Sequence, residues 1–268
     1  MNVLITGATS GIGYETALIF AKHGFRVWGV SRSPIPSPSE HIVFKRINVT
    51  NQESVDQGIE EIWSEALKTT KKGIEVVVHC AGFGIGGSAE DTPIEDAIAQ
   101  FDTNYFGVLR VNQALLPRMR TQGGGKVIIL GSIAGRISIP FQSHYSATKF
   151  ALEAYTEALR LEGRVFGITA TIIEAGDTKT AFTVNRKFST PTTSPYYDQA
   201  QRSIAKMAHD EEHGYSPQKV AKAIYKVSKR KNPPIRKVVG LSYALLMMLK
   251  RSLPDFVVEG IINHMYLH

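Results

Sequence analysis

Tyr145 and Lys149 stand four residues apart in Tyr145-Ser146-Ala147-Thr148-Lys149, and Ser132 precedes the tyrosine by thirteen positions. A phenol titrates at roughly 10 and is a poor proton donor or acceptor at neutral pH. On a helix, residues four apart share a face, so the Lys149 ammonium is expected beside the phenol. There it would favour the phenolate and draw the Tyr145 pKa toward the working range, making a tuned acid/base group. Such a pair is common by chance on amphipathic helices. Its weight comes from what must position it.

The first of those elements opens the chain. Residues 2–6 form an apolar run long enough for one buried strand, and Gly7-Ala8-Thr9-Ser10-Gly11-Ile12-Gly13 follows at once. Residues 14–21 then repeat apolar side chains at helical spacing, and a second apolar run begins at Phe25. Strand, glycine turn, helix and strand is the context that a dinucleotide-binding turn requires. Gly7 permits the sharp turn, while Gly11 and Gly13 let the backbone approach a pyrophosphate seated on the helix N-terminus.

The spacing Gly-x-x-x-Gly-x-Gly, taken with Ser132, Tyr145 and Lys149, resembles the short-chain dehydrogenase/reductase family in its compact single-domain branch. Thr6–Gly13 is similar to the family's cofactor motif, and Asn104 in Phe101-Asp102-Thr103-Asn104-Tyr105-Phe106-Gly107 to its helix asparagine. Ser132, after the apolar run 126–131, matches its active-site serine. The resemblance implies that Tyr145 donates a proton to a substrate oxygen and that Ser132 hydrogen-bonds the same oxygen. Lys149 would hold the nicotinamide ribose and tune the phenol. Asn104 would hold a water that passes protons to the lysine. Three places depart from the family pattern: His79-Cys80-Ala81-Gly82, Asn48-Val49-Thr50 and Ala175-Gly176. The first two stand where the family lines the adenosine half of its pocket, so Asn48, Val49, Cys80, Ala81 and Gly82 are expected there, with Asn48 able to reach an adenine edge. Gly7, Thr9, Ser10, Gly11, Ile12 and Gly13 would hold the phosphates. Thr178 or Thr180, after Gly176, matches the family's carboxamide-binding threonine.

At the end of the second strand, where a carboxylate would select NAD, the chain carries Ser31-Arg32. A guanidinium suits a 2′-phosphate, which predicts NADP(H) as the cofactor. Ile137, Ile139, Pro140 and Phe141 lie between Ser132 and Tyr145 and make an apolar wall. The stretches 130–150 and 173–182 look similar to hydroxysteroid and retinol dehydrogenase members, which implies an apolar steroid, retinoid or acyl-chain substrate interconverted between carbonyl and alcohol. The alternative is a non-catalytic NADP(H) sensor of the same fold. Sensors of that kind tend to lose the tyrosine or lysine, and here all four catalytic positions are filled.

Apolar runs at 2–6, 26–31, 42–47, 74–80, 125–131 and 168–174, with a short edge at 238–239, alternate with helical segments at 11–23, 51–70, 94–120 and 143–163. This predicts an α/β fold, a Rossmann-type doubly wound parallel sheet with helices on both faces, as one domain over 1–268. A proline-rich loop is expected at 33–39. Residues 177–216 lack clear periodicity and are expected to close over the substrate as a lid, with Phe182, Phe188, Tyr196 and Tyr197 available for apolar contacts. The single cysteine, Cys80, fits a reducing, cytoplasmic setting and reads as a small buried hydrophobe. No secretory signal is expected at the N-terminus, and no metal-ligand pattern appears. Net charge is +7, much of it on a solvated helix face within 219–237, without the aromatic interleaving of a nucleic-acid surface. Helices 94–120 and 143–163 are the expected contacts of a homo-oligomer, dimer or tetramer. Residues 241–249, followed by Lys250-Arg251, and 256–262 are expected to pack their apolar face against the core or a second subunit, the alternative being a weak membrane-surface contact.

Overall fold

A computed structural model describes residues 1–32 and 40–267. The proline-rich loop expected at 33–39 lies outside the described residues. The chain runs β1 (Asn2–Thr6), α1 (Gly11–Lys22), β2 (Arg26–Ser31), β3 (Ile42–Arg46), α2 (Gln52–Thr70), β4 (Val76–His79), β5 (Ile85–Gly86), α3 (Ile94–Phe101) and α4 (Gly107–Thr121). It continues through β6 (Gly125–Leu130), α5 (Ser143–Gly163), β7 (Ile168–Glu174), β8 (Lys187–Phe188), α6 (Tyr197–Glu212), α7 (Pro217–Ser228), β9 (Arg236–Val238), α8 (Leu241–Ser252) and α9 (Asp255–Leu267).

Seven strands form a parallel sheet in the order β3-β2-β1-β4-β6-β7-β9. Successive strand residues point to opposite faces, so β1 sends Leu4 into one core and Val3 and Ile5 into the other. The Leu4 side carries α2, α4 and α5; the Val3 side carries α1 and α7. Strand order reverses between β1 and β4. In such sheets the crevice outside the carboxyl ends of those strands is the usual ligand site.

Two elements differ from the sequence expectation. The helix expected over 94–120 is interrupted by a π-turn at Asp102–Phe106, which carries Asn104. Residues 177–216, read as aperiodic, contain the sixteen-residue α6. Its buried face is made by Ala200, Ser203 and Met207, spaced for a helix but with only Met207 large and apolar, too few to show as a pattern.

Buried His79, at the end of β4, bonds through Nε2 to Asn112 Oδ1 at 2.9 Å, and Asn112 donates to the Tyr155 hydroxyl at 3.1 Å. Burial holds the His79 imidazole down to about 4. Folding therefore requires the neutral ring, whereas the unfolded chain protonates it near ~6.5. Stability is complete above that value and falls as pH drops toward 4, by about 2–3 kcal/mol at pH ~4.5. Urea unfolding at pH ~7.5 and ~4.5 is expected to show that loss in the wild type and a smaller one in His79→Gln. Equal losses in both proteins would remove His79 as the source.

Candidate active site

Three strand ends build the floor of the crevice. The Thr6 hydroxyl accepts from the backbone N–H groups of Cys80 and Ala81, both at 3.2 Å, tying the end of β1 to the end of β4. The Gly7 N–H donates to Val30 O at 2.8 Å, tying the turn to β2. Gly7 has φ 66°, and a Cβ on it would sit 2.8 Å from the Ala81 backbone. A Cβ on Gly13 would sit 2.2 Å from the Gly7 carbonyl oxygen. Both positions are therefore closed to any larger residue. α1 begins without a side-chain cap and without an acidic residue in its first turn, so its leading N–H groups point at the groove unpaired by side chains. That is the arrangement an anionic pyrophosphate fits.

A groove over this floor is lined by Gly7, Thr9, Ser10, Gly11, Ile12, Gly13, Ser31, Arg32, Val49, Cys80, Ala81, Gly82 and Thr180. Arg32 is exposed at the end of β2, and Ser31 accepts from the Thr9 hydroxyl at 3.0 Å. Asn48 is placed otherwise. Its Oδ1 accepts from the Thr50 N–H and hydroxyl, at 3.2 and 2.9 Å, so the side chain is turned into its own loop while Ile47 and Val49 line the groove. Thr103, which the sequence reading did not single out, lines it too.

A second cavity adjoins the groove through Ile12, Cys80, Gly82 and Thr180, which line both. It is lined by Ser132, Tyr145, Lys149, Gly176 and Thr178. Ser132 follows β6 and caps a 3-10 turn, its hydroxyl accepting from the Ala134 N–H at 3.1 Å. The same hydroxyl hydrogen-bonds the Tyr145 phenol. Lys149 Nζ donates to Leu130 O at 2.9 Å and lies 5.5 Å from the centre of the Tyr145 ring. The structure thus brings Ser132, Tyr145 and Lys149 together where β6 and α5 face the mouth of the glycine turn.

The electrostatics correct one expectation. Burial pushes the Tyr145 phenol up to about 12, the Ser132 hydrogen bond opposes this, Glu211 raises it further and Arg186 lowers it. Lys149 is not among the groups that act on it; its amine donates to Leu130 O, and burial holds its own pKa down to about 8. The phenol therefore keeps its proton at neutral pH, the state needed to donate to a carbonyl. Burial likewise pushes the Cys80 thiol up to about 12, which suits a packing role rather than a nucleophile.

Asn104 is buried in the π-turn. Its Oδ1 accepts from Phe83 N–H at 3.0 Å, and its Nδ2 donates to Phe83 O at 3.0 Å and to the Thr148 hydroxyl at 3.3 Å. The side chain clamps the backbone after β4 against α5. The Thr178 hydroxyl donates to Gly176 O at 2.9 Å, whereas Thr180 faces the junction of groove and cavity and its hydroxyl accepts from the Phe182 N–H at 3.2 Å.

Of the expected apolar wall, Ile137 and Ile139 line the cavity and Pro140 and Phe141 do not. Phe182 lines it and packs on Tyr145 with ring centres 5.5 Å apart, while Phe188 pairs with Tyr197 away from it. The sequence reading missed the opposite wall, which comes from α8, α9 and the link between them: Tyr243, Leu246, Leu253, Val258, Ile261, Ile262, Met265 and Tyr266. It also missed Asp177, Asp210 and Glu211, which line the same space. The signal for the first set was present, since residues 241–249 are apolar on every face of a helix rather than along one stripe. Among the described residues no cluster of His, Cys, Asp and Glu is placed to hold a metal ion.

A Rossmann-type sheet with a glycine turn at its switch point, and a serine–tyrosine–lysine set beside it, defines a nicotinamide-dependent oxidoreductase acting on CH–OH groups or the corresponding carbonyls. Residues 1–189 match the short chain dehydrogenase family. The chain belongs to the short-chain dehydrogenase/reductase family. It is 40% identical to a 3-ketodihydrosphingosine reductase of Bacteroides thetaiotaomicron, across 98% of this chain and 97% of that protein. The structure of ElxO with NADP bound superposes with a TM-score of 0.73 at 25% identity, covering 91% of this chain and 98% of that one. A short-chain dehydrogenase/reductase from Burkholderia phymatum in complex with NAD has the same fold, with a TM-score of 0.78 at 19% identity, covering 96% and 94%.

Proposed function

We propose that this chain is an NADPH-dependent reductase of a long-chain amino ketone of the 3-ketodihydrosphingosine type, acting as one domain over 1–268 with 177–216 covering the substrate. The observation that carries the reading is the cavity beside Tyr145, walled by aliphatic and aromatic side chains of α8 and α9 and bordered by three carboxylates, Asp177, Asp210 and Glu211, against one amine besides Lys149, that of Lys250. An apolar wall accepts an alkyl chain, and a carboxylate in such surroundings selects a cation. Glu211 pairs with Arg186, and both charges act on the Tyr145 phenol; an ammonium one carbon from the ketone would compete with Arg186 for that carboxylate. Among the steroid, retinoid and acyl-chain substrates expected from sequence, the 40%-identical relative favours the last.

The glycine turn, Arg32 and Thr180 would hold NADPH, which supplies the hydride when bound. Tyr145 donates its proton to the carbonyl oxygen. Ser132 hydrogen-bonds that oxygen and fixes its position, and Phe182 packs on the phenol and limits water. Lys149, with its pKa near the working range, hands a proton on to the tyrosine. The reading keeps the chain cytoplasmic and assembled as a homo-oligomer through 94–120 and 143–163, where Phe106 of the π-turn and Phe150 of α5 are exposed.

The test is NADPH consumption with two ketones of equal chain length, one bearing a 2-amino group and one without it. We expect kcat/KM to favour the amino ketone by about tenfold or more, the order of one charge-assisted hydrogen bond. Equal rates would remove the carboxylates from recognition. Tight NADPH binding with no turnover of any ketone would favour the sensor.

A further inference from the structure

α8 is apolar on two opposite faces, and only one of them is occupied. Tyr243, Leu246 and Met247 turn inward and pack with Ile133 and Ile137 beside the cavity. Leu241, Leu245, Met248 and Leu249 recur at i, i+4, i+7 and i+8 on the outside, and the first three are 85%, 56% and 70% exposed. Phe256 extends this stripe into α9 at 74% exposure. A solvated helix of a globular protein carries polar residues on its outer face, and this one does not.

We propose that the outer face of α8, with the start of α9, docks on an anionic membrane surface and that the cavity behind it is filled from the bilayer. Charge identifies the occupant. Between residues 237 and 253 the chain has Lys237, Lys250 and Arg251 and no acidic residue; Lys250 lines the cavity, and Lys237 and Arg251 stand beyond the two ends of the apolar stripe. Lys237 and Arg251 are exposed. A second copy of the same face would set these cations against each other, whereas anionic headgroups pair with them. Asp255 and Glu259, both exposed on α9, are the acidic residues of the pair of helices and favour docking centred on α8. Among the described residues no helix is long and apolar enough to cross a membrane, so α8 lies in the interface plane. Its inner face walls the cavity, so an amphiphile leaving the bilayer enters between α8 and α9 without crossing water. Delivery of substrate by this route rests on the proposed function; docking does not.

The test is flotation of the purified protein with vesicles of phosphatidylcholine alone and with about 30% phosphatidylglycerol added, in the absence of substrate. Wild type is expected to float with the anionic vesicles. Leu245→Glu/Met248→Glu is expected to reduce the bound fraction about tenfold or more, with its thermal melt close to that of wild type. Arg251→Glu gives a second reading at a solvated position should the double variant fail to fold, and is expected to weaken anionic binding several-fold. Wild type that stays unbound to both vesicles would overturn the proposal. So would a wild-type oligomer that the double variant splits, because the face would then be a contact between copies. Vesicle binding without turnover of any long-chain amino ketone would leave docking in place and remove the substrate reading instead.

Discussion

Tyr145→Phe is expected to lower kcat for carbonyl reduction by about 10³-fold, within the range for loss of a positioned general acid, while leaving NADPH affinity nearly unchanged. The substitution removes one oxygen and keeps the ring that packs on Phe182. Burial pushes the wild-type phenol up to about 12, so Tyr145 holds its proton across the whole assay range and contributes no pH limb of its own. Lys149 does, since burial holds it down to about 8. The protonated amine, present below that value, resupplies the phenol. Reduction is therefore expected to slow as pH rises through about 8, and Lys149→Met should abolish that limb. Steady-state rates of the two variants across pH, with NADPH binding measured by fluorescence, check both parts. A Tyr145→Phe enzyme with wild-type kcat would end the assignment.

Arg32→Asp is expected to reverse the cofactor preference, shifting the ratio of kcat/KM for NADPH over NADH by about 10²-fold or more. A charge-assisted hydrogen bond is worth about 1.5–3 kcal/mol, and the aspartate adds repulsion of the 2′-phosphate while accepting from a free 2′-hydroxyl. Arg32 lines the groove at the end of β2, next to a Ser31–Thr9 hydrogen bond that belongs to the turn and remains in the variant. The change is thus confined to the adenosine end, and kcat with saturating cofactor should hold. Equal efficiency of the wild type with both cofactors would show that Arg32 does not read the phosphate.

Much of the sheet was legible because a strand buried on both faces needs an unbroken apolar run, and each of β1, β2, β4 and β6 has one. Ser132, Tyr145 and Lys149 were legible because their types and spacing carry the chemistry wherever the backbone places them. Three features were not. α6 buries Ala200, Ser203 and Met207, of which only the last is large and apolar, so its period is hidden. The π-turn at Asn104 has no composition signal of its own. The pKa of Tyr145 depends on how much water the fold removes around the phenol, and on whether Leu130 O takes the Lys149 amine, neither of which spacing along one helix can report.

The loop after β7 has Ala175-Gly176 where the family usually places Pro-Gly. The ring of Tyr243 lies so close over Gly176 that a Cβ there would come within 2.3 Å of it. The Tyr243 hydroxyl accepts from the Asp177 N–H at 3.1 Å and donates to the Asp177 carboxylate. A rivet from α8 thus does the stiffening that a pyrrolidine ring does elsewhere. Trimming the chain before Leu241, as one would to obtain a more soluble fragment, would spare the dinucleotide half and slacken the very loop that carries Thr178 and Thr180.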